Sequence, residues 1–388
     1  MKTYFTITLI LFPLIIFGQD KPIDQIPFTI NDSGLIIISL KINKVMVSDF
    51  VMDTGASVTV IDNSVVNQLG LPLQDQPTQI TGASAVNNDI RKTQKQRVSL
   101  SNNIVLKNLE MYVSDLSRLA DIKGIIGYDI FKNYVTETNF DTKTIYFYKR
   151  KGKPDTKGYK SIPFTEAFCT PEIDISVLLS NNESLSGKVL FDTGNVASPF
   201  IFNEPFTSKL NMVSKFEKLI IKESEGINSK DKTKQGIVKN IKIDNYTFSE
   251  IPVSLSKSKK GMLSKEAYMG ILGLEFISKF NFILNYKKKK IYLKPNKSFK
   301  DRFDFPLSGI ILKSKRKSIF IKSIYQPSMA YDKGLRAGQQ LISIDGIKEK
   351  DKQFYQKALR SEDKVVSITV QLEDGTLKTV QILLKRLI

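Results

Sequence analysis

Residues 51–57 read Val-Met-Asp-Thr-Gly-Ala-Ser, and residues 190–196 read Leu-Phe-Asp-Thr-Gly-Asn-Val. The two Asp-Thr-Gly words stand 139 positions apart, and each ends an apolar run of strand character. One such word reads as a β-turn in which Asp accepts backbone hydrogen bonds and Gly supplies conformational freedom. Two words in the same surroundings point to a duplicated unit.

Working outward, the surroundings do repeat. Residues 34–52 predict a strand, a polar turn at Asn43-Lys44 and a second strand. Ile173–Leu179, the turn Asn181-Asn182-Glu183 and Gly187–Phe191 repeat that order. Short helices are predicted over Asn63–Leu71, with an Asn cap and a Gly stop, and over Asn203–Leu210. Gly124-Ile125-Ile126-Gly127 and Gly270-Ile271-Leu272-Gly273 follow, each with a helical turn behind it (Tyr128–Tyr134; Leu274–Phe280). Strand pairs then close the copies: 139–141 with 145–147, and 282–284 with 291–293.

Composition narrows the chemistry. The 388 residues include no His, no Trp and one Cys. The absence of His removes Ser-His-Asp and Cys-His catalysis and any imidazole switch. The lone Cys169 cannot form an intramolecular disulfide, and its setting between Phe168 and Thr170 predicts a buried thiol. Acid and base work therefore falls to carboxylates, Lys or Tyr. Two Asp side chains brought together share one proton, because both cannot ionise easily at short range. Such a pair holds a water, takes its proton with one carboxylate and polarises a carbonyl with the other. The Thr hydroxyls are placed to bond across to the opposite turn.

On these residues the chain resembles the aspartic proteases, of the retropepsin-like type and duplicated as in the two-lobed pepsins. The resemblance covers about 20–297. It implies a mainly β fold of two retropepsin-like β-barrel lobes, 20–150 and 151–297, with Asp53 and Asp192 as catalytic dyad. Thr54, Gly55, Ser57, Thr193 and Gly194 would support the dyad, and Gly82, in Ile80–Ala85, would lie in the flap. The corresponding stretch of the second lobe is Lys222–Gly226. Lobe 2 departs from the pattern at Asn195-Val196, where lobe 1 has Ala56-Ser57; Asn195 could bond the outer oxygen of Asp192 or mark a decayed site. Ala56, in place of a hydroxyl residue, implies a less acidic dyad active from mildly acidic to neutral pH. No metal and no cofactor is implied, and the partners are polypeptide substrates.

The C-terminal stretch has a different pattern. Residues 305–312 and 319–324 predict strands, a short helix ends at Gly334, and another strand is closed by Asp345-Gly346. This run, 298–388, resembles a small α+β PDZ domain, with Gln339-Gln340 in place of an expected acid. The resemblance makes Leu307, Ser308, Gly309 and Ile310 the loop that would catch a peptide C-terminus. The alternative is a PDZ fold that only packs on the lobes.

Residues 1–19 read as a signal peptide: Lys2, an apolar run interrupted by Pro13, then Gly18-Gln19. Export to the periplasm or beyond the cell is the expectation. The formal net charge is +19, and between Lys287 and Lys317 stand 12 Lys+Arg and 2 acids. No nucleic-acid motif accompanies them, so a solvated surface or peripheral attachment to an anionic envelope is expected, without nucleic acid. One dyad per chain predicts a monomer. Two further readings stay open: an inactive peptide-binding protein that keeps the fold, and a homodimer of first lobes.

Overall fold

The computed structural model describes residues 19–82, 86–117, 121–225, 230–305, 307–315, 318–349 and 351–388. The expected signal peptide, except Gln19, lies outside them. The chain is mainly β. Among the described residues no helix is long and apolar enough to cross a membrane.

The duplication seen in sequence is a duplication of strand pairing. In the first copy, Gly124–Ile126 lies parallel to Phe50–Met52 and antiparallel to Val60 and Ile61. In the second, Gly270–Leu272 lies parallel to Val189–Phe191 and antiparallel to Phe200–Phe202. The local causes match too. Asn43 and Lys44 take positive φ in the tight turn between strands Ile36–Ile42 and Val45–Met52, as a two-residue hairpin loop requires. Alternating burial along Ile38–Ile42 sends Ile38, Leu40 and Ile42 into the core.

The helix after the first word spans Asn63–Leu69, and its cap is Asp62, not Asn63: the Asp62 carboxylate accepts the Ser64 N–H at 2.9 Å. Gly70 closes it at φ 58°. The expected strand at 139–141 also shifts. The strand is Tyr134–Asn139, and residues 140–143 form the turn. Asn139 Oδ1 accepts the Thr142 N–H there, at 3.1 Å, the usual role of Asn in a turn.

A six-stranded sheet joins the copies, in the order Asp24–Pro27, Thr144–Lys149, Tyr134–Asn139, Phe280–Asn285, Lys290–Pro295, Lys160–Pro163. The seam is antiparallel, with Thr136 opposite Leu284 and Thr138 opposite Phe282. One large apolar core runs through both copies and takes in Phe299 and Phe303. A second core, around Ile321, Leu335, Tyr355 and Ile368, belongs to the C-terminal residues. Strand Ile220–Glu225 of the second copy pairs with Ser318–Gln326, so the sheet continues without a break into that segment.

Candidate active site

Both Asp-Thr-Gly turns are hung on the inner strands of their copies. The Asp53 N–H donates to Ile126 C=O at 2.9 Å, and the Asp192 N–H to Leu272 C=O at 3.1 Å. The Gly-apolar-apolar-Gly runs end where they do because the backbone is crowded. A Cβ on Gly127 would sit 2.2 Å from the Asp53 carbonyl oxygen, and one on Gly273 would sit 2.3 Å from that of Ser198.

The two turns meet face to face. The Thr54 N–H donates to the Thr193 hydroxyl at 2.9 Å, and the Thr193 N–H donates to the Thr54 hydroxyl at 3.0 Å. Each hydroxyl then donates onward across the interface, Thr54 to Phe191 C=O at 2.6 Å and Thr193 to Met52 C=O at 3.2 Å. Both threonines are 1% exposed, so these bonds form without competition from water.

Gly55 and Gly194 are required by proximity, not by positive φ. A Cβ on Gly55 would lie 2.4 Å from the Asp192 carboxyl, and one on Gly194 would lie 2.3 Å from Asp53 Oδ2. Each carboxyl therefore occupies the space that a side chain on the opposite turn would fill. The Gly194 N–H reaches Asp53 Oδ1 at 3.1 Å and Asp192 Oδ1 at 2.8 Å, while the Gly55 N–H reaches Asp53 Oδ1 at 2.7 Å.

The electrostatics are asymmetric. Burial raises both carboxyls above their ordinary value. The hydrogen bond between them pulls Asp53 back down, whereas the Asp53 charge and that same bond push Asp192 further up. The pair thus holds one proton between its two carboxyls, with Asp192 raised further than Asp53.

Not every expected support joins the pair. Ser57 is exposed, and its hydroxyl makes no hydrogen bond among the described residues. The Asn195 side chain turns away from Asp192: its Oδ1 accepts the Ala197 N–H at 3.1 Å and its Nδ2 donates to Ser198 C=O at 3.4 Å. It is the backbone N–H of Asn195 that serves Asp192. Cys169 is half-buried with φ 64°, not buried as its flanks suggested.

Asp129 was not singled out by the sequence reading. Its Oδ2 accepts the N–H of Thr59 at 3.1 Å and the Thr59 hydroxyl at 2.8 Å, tying the helical turn behind Gly127 to the strand beyond the Asp53 loop. An acidic residue two places after the second Gly of both runs, Asp129 and Glu275, was the available signal.

The hairpin Thr78–Thr81 with Val86–Ile90 carries Gly82 at its described tip; residues 83–85 lie outside the described residues. The Gly82 carbonyl accepts the N–H of Met262 in the second copy at 3.0 Å. Ile80 packs on the buried cluster Leu35, Ile37, Val51 and Val60; Met262 and Leu263 pack on Leu190, Tyr268 and Ile271. An apolar wall therefore lies on each side. In the stretch of the second copy expected to correspond to the hairpin, the described residues 222–225 belong to strand Ile220–Glu225, and Gly226 lies outside.

In the C-terminal segment, Ser308 is buried and its Oγ accepts the Ile310 N–H at 3.1 Å. Gly309 has φ 78°, and a Cβ there would strike Ser328 at 2.5 Å. Leu307 packs on the C-terminal core. Strand Ile310–Lys315 pairs only with Ser318–Gln326 among the described residues, so its other edge has no strand partner there. Among the described residues no group of three or more His, Cys, Asp or Glu is placed to hold a metal ion.

Residues 38–130 match the family model described as Aspartyl protease. The chain therefore contains an aspartyl-protease-like unit that includes Asp53, Thr54, Gly55 and Gly127. The match stops short of the second word. Among solved structures, the crystal structure of aspartic proteinase from Irpex lacteus is similar, with a TM-score of 0.47 and 13% identity, over 72% of this chain and 98% of that one. No curated protein matches the chain.

Proposed function

We propose that the chain is an aspartic-type endopeptidase in which Asp53 and Asp192 of one molecule form the dyad. The observation that carries this reading is the joint hold of the Gly194 N–H on both carboxyls, within a reciprocal Thr54–Thr193 brace. Asp53, acting as the anion, takes a proton from a water held between the carboxyls as that water attacks the peptide carbonyl carbon. Asp192 gives its proton to the carbonyl oxygen. The tetrahedral diol then collapses: Asp53 passes its proton to the amine nitrogen, the C–N bond breaks, and one diol hydroxyl returns its proton to Asp192 as the carbonyl reforms. The hairpin carrying Gly82 would act as the flap over the substrate.

The wider reading follows the same sequence features. Residues 20–150 and 151–297 are proposed as the two lobes, and 298–388 as a PDZ domain that binds partner or substrate C-termini through Leu307–Ile310. The edge of strand Ile310–Lys315 that has no strand partner among the described residues favours this, as extended peptides add to such edges. Export through residues 1–19 and peripheral contact of the basic 287–317 region with an anionic envelope complete it. Part of that charge is already answered: Lys289 pairs with Glu166.

A peptide-library cleavage assay with wild type, Asp53→Asn and Asp192→Asn tests the dyad. Cleavage by wild type, lost in both variants with folding intact, is the expected result. Cleavage that survives Asp192→Asn overturns a dyad within one chain and favours a homodimer of first lobes. No cleavage by wild type across the acidic-to-neutral range favours the inactive binding protein.

A further inference from the structure

Four lysines from three parts of the chain converge where the C-terminal segment meets both copies. Lys222 lies in strand Ile220–Glu225, opposite Tyr325. Lys313 lies in strand Ile310–Lys315, opposite Phe320. Lys322 falls at a register shift in strand Ser318–Gln326. A bulge of this kind leaves its extra residue outside the ladder, and the Lys322 charge is felt at Lys222 while that of Lys313 is felt at Lys322. Leu312, Ile319, Ile321 and Ile324 point into the C-terminal core. Lys352 begins the helix Lys352–Ala358, packed beside strand Ile310–Lys315, and is 5% exposed.

The charges are not balanced. Lys322 lies close enough to Lys222 and Lys352 to disfavour their charged forms, and Lys313 does the same to Lys322. Burial is the larger cause at all three, and with the Lys322 charge it pushes Lys222 down to about 8. The carboxylates that answer Lys352 are Asp32, at 3.9 Å, and Asp351. Asp351 is engaged in capping its own helix through the Gln353 N–H. Glu275 and Asp304 lie toward Tyr325, with Asp304 paired to Arg360. Lys352 also donates to the Asp32 carbonyl. Among the described side chains, the four lysines thus face one available acid, Asp32, which is itself half in solvent.

We propose that Lys222, Lys313, Lys322 and Lys352 form a binding site for an acidic peptide segment, whose Asp or Glu side chains supply the missing counter-charge. The edge of strand Ile310–Lys315 beside Lys313, which has no strand partner among the described residues, selects a peptide over a bare phosphate, because only a peptide backbone pairs with strand N–H and C=O groups. Asp32 stands at one end of the row as an internal competitor. Its loop also carries Gly34, which packs against Val196, two residues beyond Gly194. Occupancy of the lysine row is therefore one loop away from the dyad turn. The inference rests on the peptide-binding reading of the C-terminal segment and not on the dyad.

The test is fluorescence anisotropy on the full chain carrying Asp53→Asn, which prevents cleavage of the probe. The probe is a labelled Gly-Glu-Val-Glu-Val-Glu-Gly peptide, with its Gln-for-Glu counterpart and inorganic tripolyphosphate as comparators. The Glu peptide is expected to bind about tenfold or more tighter than the Gln peptide. Lys313→Ala with Lys322→Ala is expected to erase that difference, and Asp32→Asn to tighten the Glu peptide by a few-fold. Equal binding of the two peptides, or indifference to both sets of substitutions, overturns the proposal. Tripolyphosphate binding as tightly as the Glu peptide, with the same lysine dependence, overturns the choice of a peptide. If neutral peptides with apolar C-termini bind while the Glu probe does not, the peptide-binding reading survives and the lysine site falls.

Discussion

The backbone N–H of Thr54 and the hydroxyl of Thr193 are 2.9 Å apart, and the reverse pair closes at 3.0 Å. Two turns 139 residues apart in sequence are thereby locked as one object. Thr54→Val keeps the shape but removes the acceptor for the buried Thr193 N–H and the donor to Phe191 C=O. Each orphaned buried group costs about 1–3 kcal/mol, so a loss of about 2–6 kcal/mol is expected in urea unfolding. Thr54→Ser retains the hydroxyl and is expected to recover most of it. Equal stability of the Val variant and wild type would show that the brace carries no energy.

Gly194→Ala tests the close approach of the carboxyls. The added methyl would stand 2.3 Å from Asp53 Oδ2, and no staggered rotamer relieves a clash fixed by Cβ itself. The Asp53 carboxyl must move, and a misplacement of this size costs on the order of a hundredfold in rate. The expected outcome is such a fall in kcat/KM on a cleaved peptide. Gly70→Ala is the companion control. Its φ of 58° makes it strained, with nothing within 4 Å of the new methyl, so it is expected to lower stability and spare kcat.

The pH profile follows from the asymmetry of the pair. On the proposed mechanism, activity needs one carboxyl of the Asp53–Asp192 pair ionised and the other protonated. Burial lifts Asp53 above its ordinary 3.8 and lifts Asp192 well above it. The acid limb of kcat/KM is then expected above the ordinary carboxylate range, with the basic limb higher still. The maximum falls in mild acid to neutrality, and the two limbs belong to the pair and not to either residue. A maximum below about pH 3 would contradict this assignment.

The paired words, the Gly-apolar-apolar-Gly runs and the crossed Thr hydroxyls were legible in sequence because each is a local pattern repeated at one spacing. What was not legible came from distance. Nothing in Asn195-Val196 says that Asn195 folds back on Ala197 and Ser198. The reason for Gly55 is a carboxyl arriving from the other copy, while a turn residue read alone suggests positive φ. The docking of strand Ile220–Glu225 on Ser318–Gln326 joins segments that sequence separates by about a hundred residues, and no periodicity announces such a partner.

Glu275 gives a pH dependence of stability apart from the dyad. It stands where Asp129 stands in the first copy, but among the described residues no hydroxyl bonds it as Thr59 bonds Asp129, and Lys279 and Arg360 act on it through charge alone. Among the described residues its Oε1 accepts only the Asp304 N–H, at 2.9 Å, and burial with the nearby Asp304 charge raises it from 4.5 to about 7. The folded state therefore holds a proton that the unfolded chain has already released. Stability contributed by this group is full below 4.5, is lost as pH rises between 4.5 and about 7, and stays lost above. Glu275→Gln keeps the acceptor for Asp304 and cannot ionise. It is expected to match wild type in urea unfolding below 4.5 and to exceed it by about 1–3 kcal/mol above 7. The gain should appear in the junction with the C-terminal segment, since Asp304 also pairs with Arg360. Identical curves for variant and wild type at both ends of the window would mean that Glu275 meets water in the folded chain.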